Sequence, residues 1–227
     1  MIANLYRRVV AEAIGTAFLL ATVVGSGIMG ERLAAGNVAI TLLANSIATG
    51  AVLTALVLTF GPISGAHFNP AVTISCAAQR EMTWSDAAVY VIAQLIGAFA
   101  GVATANLMFG DPLFFISHHA RSGSAQLFSE FIATFGLLLV IGICARVQPR
   151  FVAFAVGAYI TAAYWFAAST SFANPAVTVA RSLSDTFAGL RPLDVPGFVL
   201  VQLLGAAAAT FVLRWLIPKP PLRSSDG

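Results

Sequence analysis

Six apolar runs, each near the length needed to cross a lipid bilayer, leave this chain few ways to fold. They cover residues 9–29, 38–60, 87–109, 127–145, 152–168 and 197–217. An α-helix rises about 1.5 Å per residue, so about 20 apolar residues span a hydrocarbon core roughly 30 Å thick. The fifth run is the short one. Only Glu12, Glu130 and Arg214 place a charge inside a run. Charged residues make up 9% of the 227, against about 25% in a soluble domain. With 12 basic and 9 acidic side chains a soluble globule of this size cannot be coated, and a disordered chain needs the opposite composition. The first run is too long for a removable signal peptide and lacks a small-residue cleavage pattern. The expectation is an all-α membrane protein, one unit over residues 1–227, with no soluble domain or linker.

The net charge of +3 does not point to nucleic acid, because the basic residues flank apolar runs and so carry topology. If the N-terminus is cytoplasmic, Arg7, Arg8, Arg80, Arg146, Arg150, Arg214, Lys219 and Arg223 fall inside, and Arg32, Arg121, Arg181 and Arg191 outside. The opposite orientation inverts that ratio. Both termini are therefore expected in the cytoplasm, with the chain multi-pass in the cell's inner (plasma) membrane. Cys76 and Cys144 show no paired spacing and read as free thiols.

Segments 61–79 and 169–182 lie between runs yet stay apolar, unlike aqueous loops. Each contains a stretch, 69–78 and 174–183, long enough for only half a crossing, about 15 Å. Asn69-Pro70-Ala71-Val72-Thr73 recurs letter for letter as Asn174-Pro175-Ala176-Val177-Thr178. Glu12-x-x-x-Thr16 recurs as Glu130-x-x-x-Thr134, and Gln94-Leu95-x-Gly97-Ala98 as Gln202-Leu203-x-Gly205-Ala206, in the same order. These place two repeats over about 5–110 and 123–218. Each has three spans, so the second sits inverted in the membrane.

Asn is a strong N-cap and Pro is favoured at the next position, so Asn-Pro starts a helix. Inversion brings the two starts together near the midplane, where helix-end N–H groups and the two Asn amides offer donors to oxygen and repel cations. The segment Ser64-Gly65-Ala66-His67-Phe68-Asn69-Pro70-Ala71-Val72-Thr73, with the second Asn-Pro-Ala and the repeated Glu, resembles the aquaporin (major intrinsic protein) family over roughly residues 9–217. The resemblance implies an aquaporin-like fold with six transmembrane helices and two re-entrant half-helices, one pore per protomer and a homotetramer. Asn69, Pro70, Ala71, Asn174, Pro175 and Ala176 would form the pore junction.

Buried carboxylates need partners in a membrane. For Glu12 and Glu130, binding the backbone of a re-entrant loop fits their symmetric placement better than proton relay. Two roles fit His67, lining the pore arm or anchoring the loop, and the resemblance implies the first. His118 and His119 read as solvated loop residues. Gln94 and Gln202 read as hydrogen-bonding groups between helices.

The family's narrow filter usually carries an arginine three residues after the second Asn. Here that position is Val177, and matching by spacing adds Thr49, Ala162 and Ser171. Small, uncharged side chains imply a wider filter, unless Phe172 or a backbone shift refills the space. Arg181 lies four residues on, on the same helix face. Either it restores positive charge in the outer vestibule or it holds loop carbonyls. The change at Val177 resembles the aquaglyceroporin branch, in particular channels of bacterial arsenic-resistance loci. It implies passage of arsenite and methylated arsenicals besides glycerol and water.

The expected function is thus a passive channel for small neutral solutes in contact with membrane lipid. A plain glycerol/water facilitator is the nearest alternative. A coupled secondary transporter also uses inverted repeats, but no acid lies in either half-helix to serve coupling. No paired acid and base, metal cluster or cofactor motif points to an enzyme, a metal site or a cofactor.

Overall fold

The computed structural model describes residues 4–217. Lys219, Arg223 and the last residue of the second repeat lie outside them. Among the described residues the first repeat contains α1 (Leu5–Leu33), α2 (Val38–Ser64), α3 (Pro70–Ala78) and α4 (Trp84–Met108). The second contains α5 (Ser124–Val147), α6 (Val152–Phe166), α7 (Pro175–Arg181) and α8 (Val195–Leu216). Polar side chains set the helix starts: Asn4 accepts from Arg7 N–H, Asn37 from Ala39 and Ile40, and Thr83 from Asp86. Gly65, at φ 89°, ends α2 in the left-handed conformation that favours glycine.

Five helices are long and apolar enough to cross a membrane by themselves: α1, α2, α4, α5 and α8. The sixth, α6, has only 15 residues. A 3₁₀ turn at Pro149–Phe151 leads into it, and helix plus turn rise about 28 Å, close to a full crossing. Phe18, Ile96, Trp165, Phe211 and Trp215 point outward and exposed, as expected where the surroundings are lipid and not water.

The halves pack alike. In the first, α1 lies along α4; in the second, α5 lies along α8. Glycines allow the close approach: a Cβ added at Gly97 would stand 2.2 Å from the Ala13 carbonyl oxygen, and one at Gly205 2.6 Å from that of Phe131. The α2–α6 crossing between halves uses Gly50 and Gly157, where each added Cβ would meet the other's carbonyl oxygen at 2.7 and 2.6 Å. Small residues at contact points are the membrane's substitute for a hydrophobic driving force, which lipid does not supply.

The half-helices differ in length. The sequence marks ten-residue stretches for both, yet α7 stops after 7 residues at Arg181. Beyond it the carbonyls of Ser182 and Leu183 accept from Ser117 and Phe115 N–H. The chain leaves the helix to pair with the segment before α5.

Salt bridges mark the two ends of the molecule. Arg8 pairs with Asp86 at 3.6 Å and Arg146 with Glu81 at 3.7 Å at one end; Arg32 pairs with Asp111 at 3.6 Å at the other.

Candidate functional site

A cavity of about 290 Å³ runs between the two halves. Arg181, Tyr164 and Phe172 line it toward one end, Asn69 and Asn174 in the middle, and Gln79, Glu81 and Arg146 toward the other. The centre is built by two reciprocal clasps. Asn69 Nδ2 donates to the Ala173 carbonyl at 2.8 Å, and Asn174 Nδ2 donates to that of Phe68 at 2.8 Å. Each Asn Oδ1 caps its own half-helix, accepting from Ala71 N–H in one case and from Ala176 and Val177 N–H in the other. Each amide thus spends one N–H on the opposite loop and keeps one. Pro70 and Pro175 take the first helical position, where no N–H is needed, and Ala71 and Ala176 are fully buried.

The loops ahead of the Asn residues are strained in matching places. Ala66 and Phe68 have φ of 51° and 48°, Ser171 and Ala173 of 54° and 47°. For non-glycine residues such angles cost of order 1–3 kcal/mol each and persist only when the surroundings hold them. The buried carboxylates do the holding. Glu12 accepts from Ser64 Oγ at 2.6 Å, His67 N–H at 3.0 Å, Phe68 N–H at 2.7 Å and Gln94 Nε2 at 2.9 Å. Glu130 accepts from Phe172 N–H at 2.8 Å, Ala173 N–H at 2.9 Å and Gln202 Nε2 at 2.6 Å. Each glutamine also donates to a half-helix hydroxyl, Gln94 to Thr73 at 2.9 Å and Gln202 to Thr178 at 2.8 Å. The glutamines therefore link carboxylate, half-helix and span.

His67 lines the cavity and is also tied down, with Nδ1 3.1 Å from Thr73 Oγ1 and its ring edge-on to Tyr90. His118 is more than solvated: its N–H and ring both meet Asp185, at 2.8 and 3.0 Å. Those contacts hold the Asp185 carboxyl below the usual carboxylate range, chiefly through the backbone N–H of His118.

Of the four positions matched by spacing to the filter, Thr49, Ser171 and Val177 line the cavity. Ala162 does not. It is exposed on the outward side of α6, while Ile160 and Tyr164 of that helix face the cavity. Two residues along a helix turn about 200°, so a count from a distant Asn that is off by two selects the opposite face. Tyr164 OH lies 3.1 Å from Thr49 Oγ1, joining α2 to α6. The signal for Tyr164 was its own polarity, since a buried phenol in an apolar span needs a partner. Ser171 Oγ is sealed from the surface of the protein, without a hydrogen-bond partner among the described residues.

Arg181 is 2% exposed, lines the cavity, and donates through Nε to the Ala188 carbonyl. Its Cζ stands 3.5 Å from the Phe172 ring centroid. Arg121, absent from the filter expected by spacing, is also near, with Cζ 5.3 Å from the same centroid. It is consumed by the fold, donating to the carbonyls of Gly189, Ser169 and Phe187 and to Thr170 Oγ1.

The profile of the major intrinsic protein family matches residues 2–151. The chain is 54% identical over 220 residues to a protein of Rhizobium meliloti (strain 1021) named aquaglyceroporin AqpS, covering 96% of this chain and 94% of that one. It is 34% identical over 211 residues to Nodulin-26 of Glycine max, covering 91% and 76%. Among solved structures, that of the aquaglyceroporin from Plasmodium falciparum shares the fold, with a TM-score of 0.67 at 23% identity over 94% of this chain and 95% of that one.

Proposed function

The chain belongs to the major intrinsic protein family, and on that premise we propose a passive channel with a wide filter, conducting glycerol, water and arsenicals. The observation that carries this reading is that Val177 lines the cavity, three residues after the second Asn, where the family's filter usually has arginine. Thr49 and Ser171 beside it are also small, and Ile160 and Tyr164 complete the α6 side. A branched hydrocarbon at that place suits solutes that carry methyl groups as well as hydroxyls. Arsenous acid, neutral near pH 7, presents hydroxyls much as glycerol does, and its methylated relatives add apolar bulk. The name of the Rhizobium meliloti relative, an aquaglyceroporin, supports the glycerol part.

Asn69, Pro70, Ala71, Asn174, Pro175 and Ala176 form the pore junction in this reading. Glu12 and Glu130 are structural, and His67 lines the arm leading inward. The end bearing Arg8, Arg146 and Arg214 is cytoplasmic, by the bias of positive charge, which puts both termini in the cytoplasm and Arg181 toward the outer mouth. The exposed apolar faces suit lipid and a homotetramer. The whole of residues 1–227 acts as one channel unit.

The test is flux into proteoliposomes of purified protein, with water, glycerol, arsenite and methylarsenicals compared under equal gradients. Glycerol and the arsenicals should enter far faster than into empty vesicles, without saturation at low millimolar concentration. Uptake that requires a proton gradient would replace the channel with a coupled transporter. Glycerol and water flux without arsenicals would reduce it to a plain facilitator.

A further inference from the structure

Four observations meet at the outer third of the lumen. Arg181 is 98% withdrawn from solvent, being 2% exposed, yet lines the cavity. Its guanidinium makes one hydrogen bond among the described residues, from Nε to Ala188. Both terminal nitrogens are left without a hydrogen-bond partner among the described residues, in a side chain that lines the lumen. Ser171, 3% exposed, borders the same space, and its Oγ, sealed from that space in this rotamer, has no hydrogen-bond partner among the described residues to hold it there. Finally, the Phe172 ring at 3.5 Å leaves the guanidinium little freedom to turn away.

A guanidinium presents its donors as a planar fork that matches two oxygens of one acid group. Here Nε is committed to the backbone, which leaves the two terminal nitrogens as a fork of fixed direction. The nearby acid, Glu130, is held by Phe172, Ala173 and Gln202 and is not among the residues lining the cavity. Glu81, the acid that does line it, sits at the opposite end beside Arg146. Arg121 adds a second positive charge, with four of its five N–H donors already spent on the fold. The region is thus cationic, with unspent donors and, among the described residues, no carboxylate lining this end of the cavity.

We propose that Arg181, with Ser171, is a docking station for one small monovalent oxyacid anion within the outer lumen, a specificity determinant that replaces by one helical turn the charge absent at Val177. The station rests on the channel reading for its position along the conduction path. A docked anion occupies the path, so it competes with neutral solutes from the outer side. Val177 leaves the space beside the fork open, and an arginine at both positions would crowd it.

Glycerol and glycerate differ by oxidation of one terminal carbon and are nearly equal in size, so they isolate charge. Glycerol efflux from proteoliposomes is measured with increasing external glycerate at constant ionic strength. Glycerate should slow glycerol flux in the parent, and Arg181→Gln should raise the half-inhibiting concentration about tenfold or more, as expected for loss of a charge-assisted pair. Arg181→Lys, which keeps the charge but loses the fork, should fall between. Ser171→Ala should raise it severalfold without touching the Ala188 bond. A second measurement covers variants that assemble poorly: saturation-transfer NMR of glycerate on detergent-solubilised protein should show contact in the parent and none in Arg181→Gln. Inhibition of equal strength in parent and Arg181→Gln, or no glycerate contact with the parent, would overturn the station. Glycerol flux no faster than in empty vesicles would instead overturn the channel reading, and the NMR contact would still decide the station.

Discussion

Val177 and Arg181 stand one turn apart on the same short helix, so a single substitution tests what each contributes. Val177→Arg would place a second guanidinium beside the first, narrowing the lumen and adding like-charge repulsion. Glycerol and arsenical flux should fall about tenfold relative to water flux, the effect of roughly 1.4 kcal/mol on a barrier. Stopped-flow light scattering gives both rates from one preparation, and an unchanged ratio would remove Val177 from the constriction. Asn174→Asp asks a different question. It replaces the Nδ2 donor to the Phe68 carbonyl with an acceptor and puts negative charge at the junction. Planar-bilayer recording should then find a cation leak absent from the parent. Glu12→Ala orphans Ser64 Oγ, two backbone N–H groups and Gln94, at about 1–3 kcal/mol for each buried donor. The expected outcome is loss of folded protein in size-exclusion profiles, with selectivity kept in whatever fraction assembles.

The helices show why some of this was legible in the sequence and some was not. Length and apolarity give the spans, and Asn-Pro with its exact repetition gives the half-helices, because caps and proline act within a few residues. Which side of a span faces the lumen is another matter. A soluble helix declares its buried face by being polar elsewhere, but here lipid, neighbour and lumen are all lined largely by hydrocarbon. That is why spacing alone selects Ala162 and passes over Tyr164. The short α6 was legible only as a shortened run, since the 3₁₀ turn that completes it begins at Pro149 in a polar connection. The α1–α4 contact gives a prediction at this scale. Gly97→Val should force α1 away from α4 and cost several kcal/mol, about 1–3 or more for an overpacked site. Gly205→Val should do the same to α5 and α8. Gly61, whose added Cβ would meet nothing within 4 Å, should accept Ala with unchanged or slightly raised melting temperature. Scanning fluorimetry of the three variants in detergent reads the order directly.

Across the whole molecule, loops join what the helices leave apart. On the side of Arg181 the segment before α5 is pinned to the segment after α7 by His118 and Asp185 and by the backbone pairs of Phe115 and Ser117. Because the Asp185 carboxyl is held below its ordinary value, its share of that tether is present above the unfolded carboxylate range, about pH 3.9. It is lost as pH falls through the lower folded value. Exchange of the His118 amide, followed by mass spectrometry after correction for intrinsic rates, should therefore be level from pH 7 to about 4 and increase only below. Asp185→Asn should show the faster exchange at every pH.

The crossed clasp of Asn69 on Ala173 and Asn174 on Phe68 also sets an order of events during biosynthesis. The acceptor for Asn69 is 104 residues downstream. At about 5–20 residues per second, a ribosome takes on the order of 5–20 s to supply it. Through that interval the first half sits at the membrane with its strained loop held only by contacts of its own half, chiefly Glu12, and its central amide unanswered. Arrival of the second loop answers both amides at once, so the lumen closes around its midpoint as a late and cooperative step. A ribosome that stalls between α4 and α5 leaves behind a three-span fragment with half a junction and no sealed conduit.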